Sequence, residues 1–178
     1  MPDLSMIQAI AATGFNGELG MRGTIPWQGK LPRDMKHFMQ TTKGSAIIMG
    51  RVTADTMKLP LKTRSSIIVT TKKNEALERY GHHSHVASSL QEAIESANAM
   101  VSNGQASGIF IIGGAQIYAL AMEMGLIDIM HLTTVHGNFR SDASFSFDRT
   151  HYELVSSETH PPDESNSYGC TFDVYEKK

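Results

Sequence analysis

Short apolar runs alternate with longer amphipathic segments along this chain. The apolar runs are rich in β-branched residues and predict strands, whereas the amphipathic spacing predicts three helices. These helices run from Leu31 to about Thr42, behind Ser89, and after Gly113-Gly114. Strands that alternate with helices favour a largely parallel sheet, and hence an α/β fold. The predicted strands cover residues 6–12, 46–49, 66–71, 109–112 and 129–135.

The C-terminal part of the chain predicts a different arrangement. Residues 152–157 and 169–175 are strand-like, and the segment between them is rich in turn residues at 161–166. No helix fits between these strands, so they should pair in antiparallel orientation. We therefore expect an antiparallel pair at one end of the sheet.

The second helix carries a clear start signal. Ser89 and Glu92 have capping-box spacing, which predicts that each side chain accepts a bond from the other residue's backbone N–H. Apolar residues at helical spacing predict one buried face on each of the last two helices. These residues are Leu90, Ala93, Ile94, Ala97 and Val101 in one helix, and Ile117, Leu120, Ala121 and Met124 in the other.

Composition excludes several classes of protein. A length of 178 residues predicts a single domain over residues 1–178. With 16 basic and 18 acidic residues the net charge is −2, which argues against a nucleic-acid-binding protein. The single cysteine, Cys170, excludes an intrachain disulfide and a Cys-rich metal cluster.

No segment resembles a targeting or membrane-spanning sequence. Residues 1–4 contain no basic stretch ahead of a long apolar run, so we expect no signal peptide. The longest apolar runs are far too short to cross a bilayer. We therefore expect a cytoplasmic protein that has no membrane partner.

Three histidines, at positions 82, 83 and 85, cluster in a segment that predicts a polar turn. They lack helical i, i+4 spacing and have no carboxylate or cysteine partners nearby. A solvated turn is therefore favoured over a metal site, and we expect no bound metal.

An acidic residue lies among apolar residues at the start of the first helix. The apolar stripe of that helix runs through Leu31, Met35, Phe38 and Met39, and Asp34 shares its edge. Partial burial would raise the pKa of this carboxyl unless hydrogen bonds or a cation offset the loss of solvation. The structural alternative is a first-turn acid stabilised by the helix dipole.

Two strand ends that contain glycine are candidate phosphate sites. Gly113-Gly114 separates a strand from a helix, so backbone N–H groups at the helix start can approach an anion closely. Gly50 precedes Arg51, a cation for phosphate, and Thr53, a helix cap or an anion ligand. A tight turn without a ligand and a solvated arginine are the ordinary alternatives.

Taken in order, these segments resemble dihydrofolate reductase from about residue 4 to the C-terminus. Each motif is weak alone, whereas the order and spacing make the combination specific. Gly29-Lys30 is a departure, because it lengthens the link between Trp27 and Leu31. The motifs are Ala11-Ala12, Asn16-Gly17-Glu18-Leu19-Gly20, Pro26-Trp27, Leu31-Pro32-Arg33-Asp34-Met35 with Phe38, Ile48-Met49-Gly50-Arg51-Val52-Thr53, Arg64, Ile112-Gly113-Gly114 with Tyr118, and Leu132-Thr133.

The resemblance implies a fold and an activity. The fold would be an eight-stranded, mostly parallel sheet with an antiparallel C-terminal strand, flanked by helices. The activity would be NADPH-dependent reduction of 7,8-dihydrofolate to tetrahydrofolate by hydride transfer from the nicotinamide. Asp34 would orient the pterin and promote its protonation, Thr133 would support Asp34, and Trp27 would complete the catalytic group. A monomer that binds dihydrofolate and antifolates is implied.

The resemblance also implies which residues bind the ligands. Arg64 would pair with the glutamate carboxylate of the substrate, and residues 18–27 would form a mobile loop over the nicotinamide. Arg51, Thr53 and Thr71 would face the cofactor phosphates, including the 2′-phosphate that selects NADPH. The substrate-binding residues would be Ile10, Met35, Phe38, Met57, Leu61, Arg64 and Ile112. The cofactor-binding residues would be Ala12, Leu19, Gly20, Ile25, Gly50, Arg51, Val52, Thr53, Thr70, Thr71, Lys72, Gly113, Gly114, Ala115, Gln116, Ile117 and Tyr118.

Two other functions are compatible with this fold. A related pterin or pyrimidine reductase, such as the riboflavin-pathway enzyme, would not need a buried acid after Leu31-Pro32. A non-catalytic NADP-binding module would not need Asp34, Trp27 and Arg64 together. The presence of these three residues favours the folate enzyme over both.

Overall fold

Eight strands form one mixed sheet, and helices flank it. The computed structural model describes residues 5–178. The strands are β1 (Ile7–Thr13), β2 (Glu18–Gly20), β3 (Ala46–Gly50), β4 (Ser65–Val69), β5 (His85–Ala87), β6 (Ile109–Gly113), β7 (Ile129–Val135), β8 (Ala143–Ser144), β9 (Tyr152–His160) and β10 (Cys170–Lys177). The helices are α1 (Pro32–Thr41), α2 (Arg51–Thr56), α3 (Lys73–Tyr80), α4 (Leu90–Ser102) and α5 (Ala115–Glu123).

The strand order of the main sheet is β5-β4-β3-β6-β1-β7-β10-β9. Neighbouring strands are parallel from β5 to β7, whereas β10 runs antiparallel to both β7 and β9. The strands β2 and β8 form a separate antiparallel pair. The predicted α/β class and the antiparallel C-terminal strand are confirmed.

The central strands are apolar on both faces because helices cover both sides of the sheet. Ile48 and Ile111 belong to one apolar cluster, which α4 and α5 complete with residues such as Leu90. Ile47 and Ile68 point to the other face, where Tyr80 of α3 packs. The near-continuous apolar runs that predicted these strands follow from this double coverage.

Two helices and three short strands were not predicted from the sequence. Only Ala76 and Tyr80 are buried in α3, so its sequence shows no apolar stripe. The strand β5 has only 3 residues. The prediction that His85 lies in a turn was wrong, because this residue begins β5. Pairing with β4 makes these residues a strand, which the local sequence pattern did not predict.

The capping box at α4 is only half formed. The Ser89 hydroxyl accepts a bond from the Glu92 backbone N–H at 3.1 Å, as predicted. The Glu92 carboxylate instead accepts from the backbone N–H of Ser88 at 2.7 Å and from its hydroxyl at 2.5 Å. Lys73 of α3 also donates to it at 2.6 Å, which draws the carboxylate away from Ser89.

The predicted buried faces of α4 and α5 need small corrections. Met100 is buried in α4, whereas Val101 lies at the edge of the apolar cluster. Leu120 of α5 and Met124 at its C-cap are exposed, whereas Ile117, Tyr118 and Ala121 are buried. The turn at Gly113-Gly114 directs the start of this helix onto the sheet and leaves its far side in solvent.

Within residues 5–178, no helix is long and apolar enough to span a membrane. The same part of the chain contains no cluster of three or more His, Cys, Asp or Glu side chains arranged to hold a metal ion. Residues 1–4, on which the expectation of no signal peptide depends, lie outside the described residues.

Candidate functional site

Several of the predicted cofactor-binding residues lie at one edge of the sheet. Ala12 lies near the end of β1, Gly50 ends β3, Thr70 follows β4 and Gly113 ends β6. Because these strands are parallel, their carboxyl ends lie at the same edge, where open α/β sheets usually bind ligands. The fold thus assembles segments that are far apart in sequence.

Asp34 lies in the first turn of α1, against Trp27 and Thr133. The Trp27 indole Nε1 donates to Asp34 Oδ2 at 3.4 Å. Burial raises the pKa of Asp34, whereas hydrogen bonds from Thr133 and Trp27 act in the opposite direction. A first-turn acid stabilised mainly by the helix dipole would instead have a lowered pKa, so desolvation dominates here.

The start of α1 is anchored by an apolar cluster. Leu31 at the N-cap packs with Trp27, Val135 and Cys170, and all four are buried. Pro32 then occupies the first helical position, where its missing N–H costs nothing. The Leu31 side chain makes no capping hydrogen bond. Packing of Leu31 therefore decides where the helix begins.

Most of the predicted substrate-binding residues lie in one apolar cluster on the α3 side of the sheet. The buried members are Ile10 and Ile112, and Phe38, Met57 and Leu61 pack against them. Met35 differs, because 54% of its surface is exposed at the start of α1. The cluster is therefore an apolar wall that extends from the sheet to the far turn of α1.

Arg64 is tied to the carboxyl end of α1. Its Nε donates to Thr42 Oγ1 at 2.8 Å, and its Nη2 donates to the Met39 carbonyl oxygen. Its Nη1 donates to the Lys62 carbonyl oxygen at 2.6 Å. The guanidinium is therefore held in place by the protein before any ligand binds.

The turn between β6 and α5 requires glycine. Gly113 has a φ of +119° and is joined to Gly114 by a cis peptide bond. A Cβ on Gly113 would lie 3.2 Å from the Tyr118 ring, and a Cβ on Gly114 would lie 3.2 Å from Thr53 Oγ1. The two glycines therefore let this turn pack closely against Tyr118 and Thr53.

Tyr118 fastens α5 to the first strand. Its hydroxyl donates to the Ile10 carbonyl oxygen at 2.6 Å in the protein interior. Burial raises the pKa of Tyr118 well above its ordinary range, so this phenol stays neutral. Ile117 of the same helix lies close to Gly50, whose Cβ would be 3.2 Å from Ile117 Cγ1.

The candidate phosphate cations are already paired with acids. Arg51 Nη1 lies 2.7 Å from Asp55 Oδ2, one helical turn along α2. Lys72 Nζ lies 3.7 Å from Glu75 in an exposed pair. Arg51 is exposed as well as paired, so both a solvated arginine and a phosphate cation stay possible, and any anion would share it with Asp55.

Thr53 does not cap a helix, because α2 begins at Arg51 with Gly50 as the N-cap. The Thr70 hydroxyl accepts from the Lys72 backbone N–H at 3.1 Å. The remaining predicted cofactor residues vary in exposure along this edge. Val52, Thr71 and Gln116 are exposed, and Ala115 is half-buried.

Residues 18–27 are fastened to the segment around β8. Gly20 pairs with Ala143, and the Arg22 backbone N–H donates to Asp142 Oδ2 at 2.8 Å. Leu19 packs against the larger apolar cluster, whereas Ala12 and Ile25 pack against the cluster around Trp27. The glycine-rich segment therefore has a defined conformation next to Asp34.

One group near Asp34 was missed by the sequence. Asn166 of the β9–β10 turn accepts a bond from the Arg33 backbone N–H at 2.9 Å. These residues are separated by 133 positions, and a turn-rich segment carries no signal of which element it contacts. Asp55 was missed too, although its i, i+4 spacing from Arg51 would have revealed it had α2 been predicted.

Comparisons with known proteins agree with this architecture. A family model described as dihydrofolate reductase matches residues 6–177. The chain is 34% identical to dihydrofolate reductase of Bacillus subtilis (strain 168), over 97% of this chain and 95% of that protein. It is 34% identical to dihydrofolate reductase of Lactococcus lactis, over 97% of this chain and 98% of that protein. The solved structure of dihydrofolate reductase from Enterococcus faecalis complexed with NADP(H) and RAB-propyl superposes with a TM-score of 0.83, at 26% identity and with 98% of both chains covered.

Proposed function

Because the chain belongs to the dihydrofolate reductase family, we propose that it reduces 7,8-dihydrofolate to 5,6,7,8-tetrahydrofolate with NADPH. The observation that carries this proposal is the Asp34 carboxyl, which is desolvated yet hydrogen-bonded at the ligand edge of the sheet. Residues 1–178 act as a single domain in this proposal. Its occurrence as a cytoplasmic monomer stays a prediction.

Asp34 recognises the amino-pyrimidine edge of the pterin. The ionised carboxylate accepts hydrogen bonds from the exocyclic amino group and the neighbouring ring nitrogen. A negative charge in this desolvated position stabilises the protonated imine, whose carbon is the better hydride acceptor. Thr133 and Trp27 hold the carboxylate by donating to it. The proton itself arrives through water, since the carboxylate faces the far edge of the ring.

The apolar wall and Arg64 bind the rest of the substrate. Phe38 and Met57 flank the pterin and benzoyl groups, and exposed Met35 covers them from the start of α1. Arg64 pairs with the glutamate carboxylate, for which its fixed orientation is an advantage. Removal of water by this wall strengthens the electrostatic effect of Asp34.

The chain also fits NADPH. Gly113 and Gly114 have no side chains at the start of α5, where backbone N–H groups favour a pyrophosphate. Arg51, Thr53 and Thr71 face the phosphates, and Arg51 does so with Asp55 as its fixed counter-ion. NADPH supplies the hydride when it is bound. Residues 18–27 exclude water from the site when they close over the nicotinamide.

The test is NADPH absorbance after addition of dihydrofolate. We expect turnover by the wild-type protein and a loss of about 10²–10⁴-fold for Asp34→Asn, with the loss smaller at low pH, where dihydrofolate is protonated by solvent. Glu123→Gln removes an exposed carboxylate from α5 and is the matched control, for which we expect unchanged turnover. Absence of dihydrofolate-dependent oxidation by folded wild-type protein would overturn the proposal.

Two further measurements test the ligand classes. We expect NADH to be a much poorer cofactor than NADPH, and equal rates would contradict the roles given to Arg51 and Thr71. Antifolates that carry a diaminopyrimidine should compete with dihydrofolate, because they offer the same hydrogen-bond donors to Asp34. Binding of such a compound by Asp34→Asn with full affinity would contradict this recognition.

A further inference from the structure

The turn between β9 and β10 packs against the helical turn that carries Asp34. Asn166 of this turn is only 6% exposed, although it is polar. Its Oδ1 accepts the hydrogen bond from the Arg33 backbone N–H, and Arg33 directly precedes Asp34. The contact joins a C-terminal turn to the backbone of the site.

The start of α1 needs an acceptor from elsewhere in the chain. Leu31 is the N-cap residue and has no side-chain acceptor, and Pro32 has no N–H. The Asp34 N–H bonds to the Leu31 carbonyl oxygen at 3.1 Å. The Arg33 N–H therefore depends on Asn166, which takes the place of a capping side chain from 133 positions away.

Asp163 fixes the orientation of the Asn166 amide. Asp163 Oδ1 accepts from Asn166 Nδ2 at 2.9 Å and from the Asn166 backbone N–H at 2.8 Å. It also accepts from the Ser165 N–H at 2.9 Å. These bonds, with a smaller contribution from Arg33, hold the pKa of Asp163 below its usual range. Since Nδ2 is used as a donor, Oδ1 has to face Arg33.

Three further bonds connect the same turn to the residues around Asp34. The Arg33 guanidinium pairs with Asp163 Oδ2 at 2.5 Å and donates to the Pro161 carbonyl oxygen at 3.0 Å. The Ser167 N–H donates to the Lys30 carbonyl oxygen at 2.8 Å. The extension Gly29-Lys30 is thus held by the β9–β10 turn.

We propose that Asn166 is a positioning residue: by capping α1 from the β9–β10 turn, it fixes the place and the solvent exclusion of the Asp34 carboxyl. The inference rests on the proposed function of Asp34 and deepens it. Without the Asn166 acceptor the first turn of α1 loosens, because its free N–H must find water. A shift of this turn would also move the Asp34 carboxyl relative to Trp27 and Thr133, and so change its burial.

The surroundings of Asp34 allow a direct titration. The titratable side chains that face it are Tyr118 of α5 and Cys170 of β10. Burial raises the pKa of both, so both stay neutral over the acidic range in which Asp34 titrates. A shift in the Asp34 titration after a change at Asn166 therefore reports solvation and hydrogen bonding of Asp34.

The experiment compares Asn166→Ala with Ser89→Ala. Ser89 caps α4 through the Glu92 N–H at 3.1 Å, so this control removes a helix cap without a contact to Asp34. For each variant, the Asp34 pKa is measured by carbon-13 NMR in the ligand-free protein, and kcat, KM and Tm are measured separately.

We expect both variants to lower Tm, and only Asn166→Ala to change Asp34. Its pKa should fall by about half a unit or more, toward the ordinary carboxyl value, as desolvation decreases. The kcat/KM for dihydrofolate should fall about three- to tenfold, which corresponds to the loss of one capping bond at the site. If Asn166→Ala does not fold, Asn166→Ser is measured against the same criteria.

An Asp34 pKa and a kcat/KM that are unchanged in Asn166→Ala, despite a lower Tm, would overturn the inference and leave Asn166 a purely structural cap. Failure of the proposed function has a different signature. In that case the wild-type protein shows no dihydrofolate-dependent oxidation of NADPH, or Asp34→Asn keeps wild-type turnover. Neither result depends on the NMR titration of Asn166→Ala.

Discussion

Trp27 and Asp34 lie seven positions apart and meet through a hydrogen bond of 3.4 Å from the indole Nε1 to Oδ2. Only 1% of the Trp27 surface is exposed, so water does not replace this donor. The bond works against burial, which raises the pKa of Asp34. A hydrogen bond from Thr133 acts in the same direction as the bond from Trp27, and burial outweighs both.

Trp27 is the only tryptophan in the chain, so its fluorescence reports on the Asp34 carboxyl. We expect a pH titration of the ligand-free protein to show a fluorescence transition above the ordinary pKa of an aspartate, because burial raises the pKa of Asp34. The transition should vanish in Asp34→Asn. If the same transition persists in that variant, the reporter senses another group.

Asp34→Asn should stabilise the fold while it removes activity. Because the folded-state pKa of Asp34 is raised, its contribution to stability is fully present below the unfolded-state value of about 3.8 and is lost as the pH rises through the folded-state pKa. Thermal unfolding should therefore give a higher Tm for Asp34→Asn at pH 7–8 and similar Tm values for both proteins near pH 3. A lower Tm at pH 7–8 would contradict this sign.

Arg64→Lys should weaken the binding of the substrate glutamate. Lysine cannot reproduce the planar guanidinium that Thr42 holds through Nε, so we expect KM for dihydrofolate to rise about tenfold with little change in kcat. A dihydropterin that lacks the glutamate is the internal control, and its kinetics should stay the same. Equal effects on both substrates would show that the variant disturbs α1 instead.

Gly113→Ala should impair NADPH binding. The alanine would need a φ of +119°, and its Cβ would lie 3.2 Å from the Tyr118 ring. The turn between β6 and α5 must therefore shift. We expect about a tenfold loss of NADPH affinity by calorimetry, which corresponds to about 1.4 kcal/mol. Gly104→Ala has a φ of +76° with nothing within 4 Å and should keep wild-type affinity.

His131→Gln should make the protein more resistant to acid. Burial, with a smaller effect from His37, lowers the pKa of His131 to about 4. The stability that this histidine contributes is present above its unfolded-state value of 6.5 and is lost as the pH falls through about 4.

Glutamine keeps a donor for Gln8 Oε1, which lies 2.8 Å from His131 Nε2, but does not titrate. The free energy of unfolding, measured by urea denaturation, should therefore fall less between pH 6.5 and pH 4 in His131→Gln than in the wild type. An identical decrease in both proteins would assign the acid sensitivity to other groups.

The fold could largely be predicted where local pattern and tertiary environment agree. The strands β3 and β6 are buried on both faces, so their apolar runs were sufficient. The helix α3 could not be predicted, since it buries only Ala76 and Tyr80 and depends on the sheet beneath it. The prediction that His85 lies in a turn was wrong for the same reason, because pairing with β4 makes this residue part of a strand.

The candidate site divides in a similar way. Asp34 was found because an acid at the edge of an apolar stripe is visible in a single helix. The ion pair between Arg51 and Asp55 and the cap from Asn166 were not predicted. The ion pair can be predicted only if α2 is predicted, and the sequence of α2 gives no clear helix signal. The cap joins segments that are 133 positions apart.

By itself, the sequence determined the periodicities of the main elements, the place of Asp34 at the start of a helix, and the ordered motifs that resemble a family. Tertiary structure decided that the Asp34 pKa is raised and that Asn166 caps α1. The reason is physical. Periodicity depends on neighbours within one or two turns of the backbone, whereas desolvation and capping depend on whatever part of the chain packs against a group.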